Sequence, residues 1–222
     1  MDKYPVRVFL KKKGRAVYIS HLDLLRAMQR ALKRSGLPVW YSEGFNPRIY
    51  LNFPLPLSLG TLGEREPMDF YGIEEIPMEN FALRLGEVCP EGISIISAGA
   101  PVHKNRDIGS AEYRAVFSGN VPEIERAFGE FLASEKIEVK KRSKKKGEIT
   151  LDIKPHIKII GTDTGENEFS ADFILPAGNE LNINAGVFTG AFTEFCKSMG
   201  ISAEIVCTKR LNIYCQNGEI FT

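Results

Sequence analysis

The sequence lacks several features that would each indicate a particular class of protein. No apolar run approaches the roughly 18 residues that span a bilayer, and the N-terminus leads into a strand-like stretch, not into the apolar segment of a signal peptide. We therefore expect no membrane association and a cytoplasmic location. The net charge is only +1, which argues against a protein that coats nucleic acid without discrimination.

Metal and cofactor motifs are absent as well. The four cysteines form no CxxC pair and lie in or beside apolar stretches, so we expect reduced, packed thiols and no zinc or iron–sulfur site. His103 and His156 have no acidic or cysteine companions at ligand spacing, and no HExxH, Walker A or strand-linked GxGxxG motif occurs. The prediction is a protein that holds no metal and no cofactor.

The charge that is present is unevenly distributed. Residues 1–50 contain 11 Lys or Arg against 3 Asp or Glu, whereas residues 51–100 contain 2 against 8. The second half repeats this change, from a basic stretch at 135–160 to an acidic one at 161–200. Basic regions of this kind can hold a phosphate backbone, although clustered solvated faces would give the same pattern.

The order of patterned segments predicts two similar halves. In the first half we predict strands at 6–12, 38–41, 48–53, 68–71 and 93–98, with helices at 21–35 and 78–88. Comparable elements follow between 113 and 214. The predicted fold class is α+β, with two ferredoxin-like βαββαβ halves in tandem, residues 1–103 and 110–222, and mainly antiparallel sheets.

The first predicted helix has clear end signals and two different faces. Ser20 is a suitable N-cap, and Gly36 followed by Pro38 ends the helix. At about 100° per residue, the apolar face contains Leu24, Leu25, Met28, Ala31 and Leu32. The opposite face is basic and contains Arg26, Arg30, Lys33 and Arg34.

The start of this helix contains candidate catalytic residues. Ser20, His21 and Asp23 lie one to three residues apart, a spacing that opposes a nucleophile–base–orienter chain. His21 could instead donate a hydrogen bond to an anion, or it could pack as a structural histidine. His21 and Asp23, with Ser42 nearby, remain the candidates for an enzymatic site, but the sequence leans against enzymatic activity.

The loop 41–47 and a later Lys-rich turn are the other unusual segments. Gly44 permits positive φ and Pro47 restricts the residue before it, so Phe45 is held on a rigid loop. Exposed, this ring could stack on a base; buried, it would only fill the core. The run 140–147 lies at a predicted hairpin tip, where it could contact phosphates or form a solvated turn.

An ordered string of motifs in the first 70 residues carries a family resemblance. The string is Phe9-x-Lys11-x-x-Gly14, Tyr18-Ile19-Ser20-His21-Leu22-Asp23-Leu24-x-Arg26, Arg30-Ala31-Leu32-x-Arg34, Leu37-Pro38, Tyr41-Ser42-x-Gly44-Phe45-Asn46-Pro47 and Pro54-Leu55. It resembles the bacterial radical-SAM-linked domain of unknown function. The resemblance implies a role beside a radical-SAM enzyme module in RNA-related or ribosome-related modification. Because the chain lacks cluster cysteines, the radical chemistry would belong to that partner.

Three hypotheses follow from these observations. The leading one is a radical-SAM-associated accessory module that binds structured RNA or presents a substrate without turnover. The alternatives are an enzyme with a His-centred RNA-processing or small-molecule site, and a protein-binding partner only. The residues predicted to bind RNA or a ligand are Arg26, Arg30, Arg34, Ser42, Phe45, Asn46, Arg48, Lys140, Lys141, Arg142, Lys144 and Lys145.

Overall fold

The computed structural model describes residues 2–143, 147–178 and 181–222, and it shows a mixed α+β fold whose strands pair mainly antiparallel. The chain divides into two compact units: unit 1 is Met1–Ile108 with Arg210–Thr222, and unit 2 is Gly109–Lys209. This division differs from the predicted boundaries because the C-terminal segment belongs to unit 1. In the described ranges, no helix has both the length and the apolarity needed to cross a bilayer.

Unit 1 begins with a strand, a helix and a two-residue strand, and continues with a long strand, a helix and a strand. These elements are β1 (Tyr4–Lys12), α1 (His21–Arg34), β2 (Leu51–Asn52), β3 (Thr61–Gly72), α2 (Met78–Gly86) and β4 (Ile93–Gly99). β1 pairs antiparallel with both β3 and β4, and β2 pairs antiparallel with β3. Apolar side chains from β1 (Val6, Val8, Leu10), α1 and α2 form one core with Phe70 of β3.

The local sequence explains the position of α1. The Ser20 side chain accepts a hydrogen bond from the backbone N–H of Asp23 at 3.1 Å, so the predicted N-cap is confirmed. Gly36 has φ +62°, a left-handed conformation that ends the helix at little steric cost. The buried residues Leu24, Met28, Ala31 and Leu32 lie on the predicted apolar face.

Two of the predicted strands are wrong in extent. Residues 38–41 form only isolated bridges, between Val39 and Gly72 and between Tyr41 and Ile49. The predicted strand 48–53 is reduced to β2. Prolines at positions 38 and 47 have no N–H to donate to a ladder, which interrupts regular pairing on both sides of the loop.

Unit 2 contains a similar series with an inserted hairpin. Its elements are β5 (Ile108–Gly119), α3 (Val121–Ala133), β6 (Glu138–Ser143), β7 (Gly147–Asp152), β8 (Lys158–Thr164), β9 (Glu168–Pro176), α4 (Ala185–Ser198) and the first part of β10 (Ala203–Cys215). Ile108 of β5, and β10 from Arg210 onward, belong to unit 1. The strand order is β10-β5-β9-β8, and β6 with β7 forms a separate antiparallel pair. Its core is rich in phenylalanine: Phe117, Phe128, Phe173, Phe188 and Phe192 are all buried and make ring contacts.

Unit 1 also contains buried ion pairs. Arg210, at 2% exposure, pairs with Glu66, at 4% exposure, and donates a second hydrogen bond to the carbonyl oxygen of Leu55 at 2.6 Å. Lys12 is buried as well, and burial lowers the pKa of its ammonium while the nearby Glu66 carboxylate opposes that change. Arg210 lies within unit 1 because the chain returns to that unit at its end.

A second buried arginine fastens the C-terminus. The Arg7 guanidinium forms two 2.7 Å hydrogen bonds with the Asp69 carboxylate. It also donates to the carbonyl oxygens of His103 at 3.0 Å and Thr222 at 2.9 Å. The first and last parts of unit 1 are therefore joined by a cation that donates four hydrogen bonds.

Candidate functional site

A cleft of about 430 Å³ lies between α1 and the loop 41–49. We call it the cationic cleft. Its lining residues are Arg26, Gln29, Arg30, Lys33, Tyr41, Pro47, Arg48 and Ile49. All of them belong to unit 1, and three of the predicted binding residues, Arg26, Arg30 and Arg48, meet here.

Helical periodicity explains the α1 side of the cationic cleft. Arg26, Arg30 and Lys33 are spaced i, i+4 and i+7, so their side chains follow one line along the helix. Arg34 is rotated by about 80° from Arg26 at 100° per residue. Its guanidinium donates to the carbonyl oxygen of Val88 at 2.8 Å, and it does not line the cleft.

Hydrogen bonds position the loop side. The Gln29 amide donates to the carbonyl oxygen of Ile49 at 2.8 Å and so ties the loop to α1. The backbone N–H of Ser42 donates to the carbonyl oxygen of Arg48 at 2.8 Å, and the N–H of Arg48 donates to the Ser42 hydroxyl at 3.0 Å. The predicted residue Ser42 therefore holds the loop closed and presents Arg48, without itself lining the cleft.

The cationic cleft contains four cationic side chains and, among its lining residues, no carboxylate. Arg26 makes an exposed 3.5 Å pair with Asp23, a type of contact that contributes at most about 1 kcal/mol. In the described parts of the chain, Arg30, Lys33 and Arg48 have no acidic side chain within ion-pair distance. Such an arrangement attracts anions, and the guanidinium forks suit phosphate oxygens.

The tip of the loop presents an aromatic ring to solvent. Phe45 has 106% relative exposure, so the interpretation of this ring as a filler of the core is wrong. Gly44 has φ +113°, which L side chains rarely adopt, and so allows the tight turn before it. Phe45 and its exposed neighbour Asn46 stand outside the lining of the cationic cleft.

The catalytic candidates lie at the start of α1, outside the cationic cleft. His21 is half-buried and packs edge-on against Phe53, with ring centroids 5.4 Å apart. The Asp23 carboxylate accepts a 2.7 Å hydrogen bond from the Ser20 hydroxyl and pairs with Arg26. Asp23 thus participates in the helix cap. In the described part of the chain, no hydrogen bond joins His21 or Asp23 to Ser42.

The second basic element belongs to unit 2. Lys140, Lys141 and Arg142 lie in β6. The predicted binding residues Lys144 and Lys145 lie outside the described residues. The lining of the cationic cleft comes entirely from unit 1.

Three residues that line the cationic cleft, Lys33, Gln29 and Tyr41, are not among the predicted binding residues. Lys33 was assigned to the basic face, and its i+7 spacing from Arg26 is the signal that would have separated it from Arg34. Gln29 and Tyr41 carry no charge, and their roles depend on where the loop returns to the helix. No local pattern contains that information.

Comparisons with known proteins match the chain to a bacterial family and to solved structures. Residues 5–185 match the model of a bacterial family described as "Uncharacterized protein conserved in bacteria (DUF2344)". Comparison with curated proteins finds no match. Among solved structures, a chain of a Cbf5-Nop10-Gar1 complex is similar with a TM-score of 0.47 and 12% identity. That similarity covers 94% of this chain, which spans about half the length of its neighbour, 48%.

Proposed function

The chain belongs to this conserved bacterial family, and we propose from the chain's own residues that unit 1 binds RNA through the cationic cleft. In this role the protein is an accessory module that holds structured RNA or presents a substrate, and it has no turnover of its own. Such a role requires a cytoplasmic location.

One observation carries the proposal: four cations face a single cleft whose lining has no carboxylate. Helical spacing aligns three of these cations, and a hydrogen-bonded loop holds the fourth, Arg48, opposite them. The lining also contains no His, Cys, Ser, Asp or Glu side chain, which favours binding over catalysis. The exposed Phe45 ring at the loop tip provides a second type of contact, since aromatic rings stack on unpaired bases.

The test is binding of a labelled structured RNA hairpin, measured by fluorescence anisotropy over about 50 to 300 mM salt. Each phosphate contact contributes a slope of about −0.7 to −0.9 to log K against log salt. If all four cations contact phosphates, the slope is about −3 to −4. Arg30→Gln should weaken binding and make the slope shallower by about one contact.

Arg15→Gln is the matched control, because it removes the same charge from an exposed residue of unit 1 outside the cationic cleft. Equal losses for Arg15→Gln and Arg30→Gln would mean that only net charge matters. Binding that does not depend on salt, or no binding, would refute the proposal.

We also propose that the protein works with a radical-SAM enzyme. The motif string between Phe9 and Leu55 supports this partnership by its resemblance. Mixing the purified protein with a radical-SAM enzyme from the same genome should give a shared peak in size-exclusion chromatography. Separate elution of both proteins at concentrations well above a micromolar Kd would contradict the partnership.

The topology supports a further structural proposal, that each unit is ferredoxin-like. In unit 1 the order β4-β1-β3 with β2 also on β3, and in unit 2 the order β10-β5-β9-β8, follow the same scheme. Along the chain, one helix follows the first strand of each unit, β1 or β5, and another helix precedes β4 or β10. An experimental structure with a different pairing of β2 or β8 would contradict this assignment.

A further inference from the structure

Unit 1 has a second pocket, of about 420 Å³, beside β2. We call it the aromatic pocket. Tyr50 and Tyr71 form one wall, and Asn52 and Asp69 lie along an adjoining edge. Val102, a largely exposed apolar side chain at 73%, borders the opening. The volume falls within the range of pockets that hold small organic groups.

The wall of the aromatic pocket is a pair of rings, of which Tyr50 is exposed and Tyr71 is half-buried, with the Lys3 ammonium 4.8 Å from the Tyr71 ring centroid. β2 pairs with β3 through Leu51–Phe70 and Asn52–Asp69, which brings Tyr50 alongside Tyr71. Their ring centroids are 5.2 Å apart with 38° between the planes. Tyr50 is 45% exposed. Rings in the core of a protein do not leave this much π-surface open to solvent.

The adjoining edge offers hydrogen-bonding groups. The Asn52 side chain is half-buried and, among the described residues, its amide makes no hydrogen bond that competes with a ligand. It can both donate and accept. Asp69 is held by Arg7, and a carboxylate with two such bonds retains lone pairs for another donor. A flat aromatic wall next to a donor and acceptor edge is the combination that binds a heteroaromatic ring.

We propose that the aromatic pocket binds an unpaired nucleobase of the RNA strand whose phosphates lie in the cationic cleft. The base stacks on Tyr50 and Tyr71, and its edge meets Asn52. This inference rests on the proposed function and extends it, because it assigns a second contact that neither the family description nor the predicted binding residues contain.

Alternation along the chain links the two sites. Ile49, Leu51 and Phe53 are buried, whereas Arg48, Tyr50 and Asn52 point away from the core. Arg48 lines the cationic cleft, and Tyr50 lines the aromatic pocket. Two residues of extended chain span about 7 Å, so one nucleotide can place its phosphate at Arg48 and its base on Tyr50.

The experiment compares two probes with the full chain: a labelled single-stranded RNA of about ten nucleotides and an abasic strand of the same length. The wild-type protein should bind the ordinary strand more tightly. Tyr50→Leu should reduce that affinity by about 5- to 150-fold, the range for one lost base stack. The same variant should leave abasic binding unchanged, because the phosphates remain.

Two further variants serve as controls. Tyr50→Phe keeps the ring and should keep the affinity for the ordinary strand. Tyr18→Leu removes another exposed tyrosine, at 75%, that lies outside both sites, and it should change neither affinity. Arg30→Gln should weaken both probes alike.

The results separate this inference from the proposed function. Equal wild-type affinity for the two strands, or an equal loss for both in Tyr50→Leu, refutes base binding in the aromatic pocket. Neither result contradicts phosphate binding in the cationic cleft. Adenosine monophosphate bound as tightly as the strand overturns the assignment to a strand. If neither strand binds but the structured hairpin does, this inference fails and the proposed function stands. If the hairpin also shows no salt-dependent binding, both proposals fail.

Discussion

The buried Glu66–Arg210 pair allows a test of what stabilises unit 1. The change is Glu66→Gln, which keeps the shape of the side chain and removes its charge. The carboxylate accepts two hydrogen bonds from Arg210, one of them 3.1 Å long from Nε. It also offsets the buried ammonium of Lys12. The substitution therefore removes the negative charge that two buried cations share.

The expected cost follows from that environment. The side chains of Glu66 and Arg210 are 5% and 3% exposed, so water cannot replace the lost carboxylate. Removing one partner of a buried pair costs about 3–5 kcal/mol of unfolding free energy. With a urea m-value of about 2 kcal/mol/M, the unfolding midpoint should fall by about 2 M.

The measurement is urea unfolding followed by the fluorescence of Trp40, the one tryptophan of the chain, which lies in unit 1. Glu64→Gln is the matched control, two residues away on β3. Its carboxylate pairs with Lys11 at 3.1 Å, but these side chains are 39% and 45% exposed. An exposed pair of this type contributes less than about 1 kcal/mol, so the control should unfold close to wild type.

The double variant Glu66→Met/Arg210→Met provides the second comparison. It removes both charges, so it should be more stable than Glu66→Gln alone. Equal midpoints for Glu66→Gln and Glu64→Gln would refute the reasoning, because burial would then make no difference to the cost.

Three further predictions concern single sites. Burial raises the pKa of the Cys89 thiol from 9.0 to about 11. Labelling of Cys89 by a thiol reagent at pH 8 should therefore be slower in the folded protein than in an unfolded control. The free energy of unfolding that the neutral thiol contributes below pH 9 should be lost as the pH rises towards 11. Gln29→Met removes the hydrogen bond to Ile49 without changing charge, so RNA affinity should fall in anisotropy while the salt slope stays the same. Ser20→Ala removes the N-cap of α1 and should cost about 0.5–2 kcal/mol in urea unfolding, whereas Ser20→Thr, which retains the hydroxyl that caps the helix and donates to Asp23, should cost less.

Much of the fold follows from local sequence signals. The Ser20 cap, the Gly36 stop and the 3.6-residue period place α1 because each signal is short-range and they agree with one another. The predicted extent of the strand at 48–53 is wrong because strand pairing is decided by contacts across the sheet. The residues that pair with Leu51 and Asn52 are Phe70 and Asp69, which lie more than ten residues further along the chain and outside any local pattern.

The candidate site was predictable only in part. Arg26 and Arg30 follow from helical spacing, and Arg48 follows from its position beside the loop motif. The exclusion of Arg34 depends on the Val88 carbonyl, 54 residues away in the chain. Tyr50 and Tyr71 carry no motif at all, and only the antiparallel register of β2 with β3 brings the rings together.

The return of Arg210–Thr222 to unit 1 has a consequence for synthesis on the ribosome. All of Gly109–Lys209 must be translated before Arg210, the partner of Glu66, exists, and Thr222, which accepts from Arg7, follows later still. At about 5–20 residues per second, that interval lasts on the order of 5–20 s. During this interval, the nascent chain carries charges that have no partner yet in a segment that will become buried. A translational pause before Arg210, or a chaperone that binds the nascent chain at that stage, would therefore affect the folding of unit 1 more than that of unit 2.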